Sequence, residues 1–246
     1  MFQIKEIKTR NTKVPQCDFV KCGIGMKHPF RAYFCSQSGG GKSTCLLNLL
    51  LKFYLNRDKS SYFDKIYIFS KTKVSCDPIY ECLYDLHNSK GESVCPDYHF
   101  FDTNIQALRL IMSLQEKDIK EKGLLKSDKI CIVFDDFISD VKFTNQLKEI
   151  FIACRKFNVS TFTLSHAFHA VHKTSRIQQS SIFFWKSSLK DIEVCSFDYC
   201  APNYSKQQFM DKINYATNEK YSFFFIDLNK SIEDGRFRKN LMEKII

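Results

Sequence analysis

The feature that most constrains this chain is the run Ser36-Gln37-Ser38-Gly39-Gly40-Gly41-Lys42-Ser43-Thr44, in which three adjacent glycines precede a lysine and two hydroxyl residues. Its flanks decide what it means. Residues 30–35 (FRAYFC) read as a β-strand entering a turn. Residues 42–54 read as a helix whose leucines, Leu46, Leu47, Leu49, Leu50 and Leu51, cover nearly all its faces, so it must be buried on more than one side. Glycines between a strand and a helix let backbone N–H groups turn inward around an anion without side-chain obstruction, and the helix adds the positive end of its dipole.

This is the context a Walker A loop requires. In that role Lys42 bridges the β and γ phosphates of ATP and the Ser43 hydroxyl ligates magnesium. One position departs from G-x-x-x-x-G-K-[ST]: Ser36 stands where the first glycine is expected. That glycine mainly permits a tight bend after the strand, whereas the cradle depends on the residues nearer the lysine, so the change is tolerable.

Further apolar runs of strand length follow at residues 65–69 (KIYIF), 98–101 (YHFF), 130–134 (ICIVF), 161–164 (TFTL) and 181–185 (SIFFW). Continuous runs suit strands covered on both faces. Helical patterns lie between them at residues 104–122 and 145–157; in the second, Leu147, Ile150, Phe151 and Cys154 fall at i, i+3, i+4 and i+7. The expectation is an α/β fold with a mostly parallel central sheet flanked by helices. Residues 221–228 and 236–241 read as a C-terminal antiparallel hairpin. A single domain over 1–246 is expected, with an N-terminal extension (1–29), a nucleotide-binding core (30–186) and a C-terminal helix and hairpin (187–246).

The 130–134 strand ends in Asp135 and Asp136. A carboxylate at the carboxyl end of a buried strand lies where open α/β sheets bind ligands, so Asp135 is the candidate magnesium holder of a Walker B strand. Asp136 is the candidate general base or orienter of an attacking water. A kinase phosphorylating a small acceptor does not need that second acid, so the pair favours hydrolysis over transfer. The next strand ends at Ser165-His166, which makes His166 a candidate γ-phosphate sensor, a surface or core histidine being the alternative reading. Arg155 and Arg176 are candidate arginine fingers for a neighbouring subunit's site, or else solvated or ion-paired groups.

Composition adds limits. No uninterrupted apolar stretch is long enough to span a membrane and charges occupy the amino terminus, so a soluble intracellular protein without a transmembrane segment is expected. The eleven cysteines are scattered through predicted core elements and read as reduced thiols. Cys17 with Cys22, near His28, and Cys195 with Cys200 are spaced more loosely than a zinc knuckle. The formal charge of +10 favours encounter with a polyanion, although it also accompanies an amino-acid usage rich in lysine and phenylalanine.

Residues 154–186 (CRKFNVSTFTLSHAFHAVHKTSRIQQSSIFFWK) resemble the segment after Walker B in the poxvirus-type DNA-packaging ATPases of large DNA viruses and virophages, within the FtsK and HerA superfamily. The likeness rests on an ordered set over residues 30–240. It comprises the Walker A loop, Asp135-Asp136, Arg155 with Lys156, Asn158 and Ser160, the polar residue after the next strand, Arg176, and the late string FFFIDLNK. Ser165-His166 stands where many relatives carry glutamine.

The resemblance implies a RecA-like domain and a homo-oligomeric ring, a pentamer or hexamer. It further implies MgATP hydrolysis coupled to pumping double-stranded DNA into a preformed capsid, and partners at the capsid or inner-membrane vertex. Its place would be the virus factory of the host cytoplasm, or the virion. Basic residues at 71–73 or 117–126 are candidate pore contacts. The alternatives are a cellular-type translocase or helicase, a nucleotide kinase, and a nucleotide-dependent assembly protein without turnover. The shortness of the segment before the first strand favours the viral reading over the cellular one.

Overall fold

The computed structural model describes residues 14–70, 78–95, 100–101, 104–136, 147 and 150–245. Its strands are β1 (Arg31–Cys35), β2 (Lys65–Ser70), β3 (Phe100–Phe101), β4 (Ile130–Asp135), β5 (Val159–Ser165), β6 (Ser181–Trp185), β7 (Phe223–Asp227), β8 (Phe237–Lys239) and β9 (Glu243–Lys244). Its helices are α1 (Asp18–Lys21), α2 (Lys42–Asn48), α3 (Ile105–Lys122), α4 (Lys173–Ile177), α5 (Leu189–Tyr199) and α6 (Lys206–Ala216). All the strands join one sheet in the order β3-β2-β4-β5-β1-β6-β7-β8-β9. The first six in that order pair in parallel, and β7, β8 and β9 extend the sheet antiparallel.

Side chains alternate across a strand, so β1 sends Ala32 and Phe34 to one face and Tyr33 and Cys35 to the other. On the first face they join Ile66, Val133 and Leu164 beneath Leu46, Leu47 and Leu50 of the helical segment after the glycines. On the second, Tyr33, Ile182 and Phe184 pack with Ile192 and Cys195 of α5 and Phe209 and Ile213 of α6. Farther along that face Phe69, Ile132 and Phe134 pack with Leu108 and Ile111 of α3. Both faces are covered, which is why the strands read as continuous apolar runs.

Several boundaries differ from the expected ones for identifiable reasons. The leucine-rich helix does not run regularly from 42 to 54: α2 ends at Asn48 and a π-helix, Leu49–Phe53, follows, closed by Tyr54 N–H donating to Leu49 O at 2.8 Å. The expected strand 161–164 extends to Val159–Ser165, because polar Ser160 and Ser165 are buried with partners: Ser160 Oγ accepts Phe30 N–H, and Ser165 Oγ donates to Ala167 O. The 145–157 helix is helical at 147 and 150–153; residues 154–158 are a turn, ending at Asn158 with a left-handed φ of 56°. Tyr98 lies outside the described residues. The tail carries two helices, α5 and α6, where one was expected, and the hairpin forms between β7 and β8.

Candidate active site

Strand order brings the chemistry together. β5 lies between β1 and β4, and the registers pair Cys35 with Ser165 and Leu164 with Asp135. The residues that leave these three parallel strands therefore emerge side by side at one edge: Ser36 N–H donates to Ser165 O at 3.1 Å, and Asp136 N–H to Leu164 O at 3.2 Å. His166, next after β5, lies between the glycine loop and the acidic pair.

The glycine loop is shaped for an anion. Gly39 and Gly41 have φ of 73° and 100°, which side chains adopt only with strain, and Gly41 is the N-cap of α2. A Cβ at Gly40 would stand 1.7 Å from Ser36 Oγ and 3.1 Å from Gln37 O. Ser36 is itself buried, with an ordinary backbone and its hydroxyl donating to Gln37 O at 2.9 Å, so no glycine is required at this first position.

Lys42 is 7% exposed and its ammonium donates to Ser36 O at 2.6 Å and to His166 Nδ1 at 3.1 Å. An ammonium can only donate, so Nδ1 is the acceptor and Nε2 carries the ring proton. Nε2 lies 3.6 Å from Asp136 Oδ2. Burial pulls the Lys42 pKa down, opposed by the nearby Cys35, Asp135 and Asp136. A buried ammonium at the amino end of a helix is a strong attractor for phosphate oxygens.

Asp136 turns out of β4 with a left-handed φ of 57°, a conformation aspartate tolerates better than most residues, and stays exposed. Asp135 is held differently: Tyr80, from the 3-10 helix Pro78–Leu83, donates its hydroxyl to Asp135 Oδ2 at 2.5 Å. Ser43, Asp135, Asp136, His166, Ser70 and Lys42 line one cavity of about 740 Å³, with Trp185 and Tyr221 also on its wall. Hydroxyl and carboxylate oxygens are the hard donors magnesium takes, so Ser43 and Asp135 fit that ion. Thr44 lines the cavity too, with Ser38, while Gln37 contributes its carbonyl to Lys42 at 3.4 Å.

The two arginines part company. Arg155 is exposed on the 154–158 turn, not on a helix face, and precedes the amino end of β5, whereas the cavity lies at the carboxyl ends of the parallel strands. At about 3.3 Å per residue, β5 separates it from its own cavity by roughly 20 Å. Arg176 does not project from the subunit. It is buried, its Nε donates to Asp198 Oδ2 at 2.7 Å, one Nη donates to Val171 O, and its guanidinium lies 5.4 Å from the Phe168 ring centroid. The finger expectation for Arg176 is corrected to an internal ion pair.

The remaining candidates are placed less centrally. Lys117, Lys120 and Lys122 pair with Glu121, Glu116 and Asp118 on a solvated face of α3, and Lys126 lies in the turn after that helix; residues 71–73 lie outside the described residues. His28 is committed to Ser160 and Asn158, and no cage of three metal-ligating residues occurs among the described residues. The described cysteines are free thiols. No described helix is long and apolar enough to cross a membrane. Sequence reasoning missed Tyr80, Trp185 and Tyr221. Trp185 and Tyr221 had as their signal only an aromatic residue beside a strand end, which alone does not distinguish a site from a core, and Tyr80, in a 3-10 helix, had none.

No curated protein matches the chain. Among solved structures, the genome packaging NTPase B204 of Sulfolobus turreted icosahedral virus 2, in complex with ATP-gammaS, matches with a TM-score of 0.58 at 14% identity, over 89% of this chain and 100% of that one. The DNA-packaging ATPase B204 of Sulfolobus turreted icosahedral virus matches with a TM-score of 0.54 at 14% identity, over 83% and 95%. EssC (ATPases 2 and 3) of Geobacillus thermodenitrificans matches with a TM-score of 0.50 at 16% identity, over 72% of this chain and 35% of that one. At these identities the likeness shows the fold, a P-loop ATPase fold with a mostly parallel sheet and antiparallel C-terminal strands. The sequence profile described as Poxvirus A32 protein matches residues 21–232, most of the chain, and the chain belongs to that family.

Proposed function

We propose that this protein is an ATPase that hydrolyses MgATP to drive double-stranded viral DNA into a preformed capsid. The observation that carries the reading is the convergence of Lys42, Ser43, Asp135, Asp136 and His166 on one cavity, in a chain of the poxvirus A32 protein family. B204, of the same fold, is named a genome packaging NTPase and was solved with ATP-gammaS, which supports a nucleotide in this cavity.

In this mechanism Lys42 leaves Ser36 O and His166 to hold the β and γ phosphates, and the loop N–H groups cradle them. Ser43 and Asp135 would hold magnesium, which would supply charge neutralisation on the phosphate oxygens. Asp136 accepts a proton from the attacking water as the bond from water oxygen to the γ phosphorus forms and the bond to the β–γ bridging oxygen breaks. His166, released by Lys42, reports the γ-phosphate to Asp136. Arg155 serves a neighbouring subunit's site within a homo-oligomeric ring, and the ring docks on capsid or vertex proteins in the virus factory or virion.

The test is phosphate release with and without double-stranded DNA. DNA-stimulated release is expected, lost in Lys42→Ala. Asp136→Asn is expected to bind nucleotide yet not turn it over. Phosphate transfer to a nucleoside, or hydrolysis indifferent to DNA, would overturn the reading.

A further inference from the structure

The acidic residues occupy only one side of the glycine loop. Along the sheet edge Asp136 leaves β4, two strands from β1, and Tyr221 enters β7, two strands away on the other side. With strands about 4.8 Å apart, the acid end and Tyr221 are roughly 19 Å apart, with the glycine loop midway. β7 runs antiparallel to β6, which is why a residue preceding a strand reaches the edge where the parallel strands end. A nucleotide whose γ-phosphate meets Asp136 and His166 extends past the loop in the direction of Tyr221.

Tyr221 is set for contact. It is 58% exposed on the wall of the cavity, and its ring lies 3.4 Å from where a Cβ of Gly41 would stand. Its φ is 67°, a left-handed conformation that a bulky side chain adopts only at a cost. Trp185, 3% exposed, donates its indole N–H to Tyr221 O at 3.1 Å, and the Ser222 hydroxyl accepts Glu219 N–H while donating to Glu219 O. These bonds fix the backbone on either side of an exposed ring that also lies 4.9 Å from the Lys220 ammonium, and a ring so placed at the rim of a phosphate site gains nothing for the core.

We propose that Tyr221, fixed by Trp185, is the platform on which the nucleotide base stacks. The assignment rests on the nucleotide reading of the cavity. Stacking uses a π-face that every base has, so the platform accepts purine nucleotides broadly and does not itself tell adenine from guanine. Trp185 is the chain's single tryptophan and lies on the cavity wall, so its emission follows occupancy.

The experiment is calorimetric titration of the full chain with MgATP, MgGTP and magnesium tripolyphosphate, which has phosphates and no base, alongside Trp185 emission. Tyr221→Ala and Tyr221→Leu are expected to weaken MgATP and MgGTP roughly 5- to 100-fold, the range of base–aromatic stacking, and to leave tripolyphosphate within about twofold. Tyr221→Phe is expected to bind all three as the wild type does. Unchanged MgATP binding by Tyr221→Ala would overturn the platform, as would an equal loss of tripolyphosphate in Tyr221→Ala and Tyr221→Phe. A wild-type chain that binds none of the three would overturn the nucleotide reading and the platform with it.

Discussion

Replacing Arg176 by methionine tests whether this arginine works inside its own subunit. Its side chain is 8% exposed and Asp198, its partner at 2.7 Å, is 1% exposed, so the substitution strands a carboxylate that water cannot reach. Breaking one side of a buried pair costs about 3–5 kcal/mol. A domain of this size loses about 2–4 °C of Tm per kcal/mol, so the expected fall is roughly 6–20 °C. The double variant Arg176→Met with Asp198→Asn removes both charges and should recover much of that loss. Differential scanning fluorimetry reads the Tm, and nucleotide binding below the transition should match wild type. An Arg176→Met chain that melts within about 2 °C of wild type but cannot turn over ATP would refute the buried-pair argument and return Arg176 to catalysis.

Burial holds the His28 imidazole neutral, with a pKa of about 4 against an ordinary 6.5. The unfolded chain therefore takes up a proton that the fold excludes between those values; this part of the stability is complete above pH 6.5 and falls by about 3 kcal/mol on acidification to pH 4. His28→Asn should flatten Tm against pH in that window, and an unchanged slope would count against it. Gly40→Ala should weaken MgATP binding at least tenfold by driving a Cβ into Ser36 Oγ, and part of the loss should return in Ser36→Gly/Gly40→Ala, as read by calorimetry. Mixing Lys42→Ala and Arg155→Ala subunits should restore some hydrolysis in mixed assemblies; none in a proven mixed ring would remove Arg155 from the site.

What the sequence disclosed depended on how local the cause was. The Ser36–Thr44 loop and the Asp135-Asp136 pair were legible because strand, turn and helix signals adjoin them. The ends of β5 were not, since Ser160 and Ser165 are polar and their burial depends on His28, Phe30 and Ala167, distant in sequence or outside the strand. The break at Leu49 is invisible to a pattern in which every face of the helix is apolar. Arg176 illustrates the same limit for function: a helical arginine before an apolar strand looks alike whether it faces a neighbour or Asp198, and only the packing of α4 on α5 decides. Tyr80 reaches Asp135 from a segment with no motif of its own.

The placement of the cavity and of Arg155 at opposite edges of the sheet carries a geometric demand. In a two-fold pair the same patch meets itself, so one contact would have to hold both the site and the arginine. Edges on opposite sides of a subunit cannot share such a patch. If Arg155 completes a neighbour's site, each subunit must give with one face and receive with the other, which makes the contact head-to-tail. Such contacts close only by running round a circle, and they have a sense of rotation: the state of one subunit's phosphates is felt by the next around the circle before it is felt by the one behind.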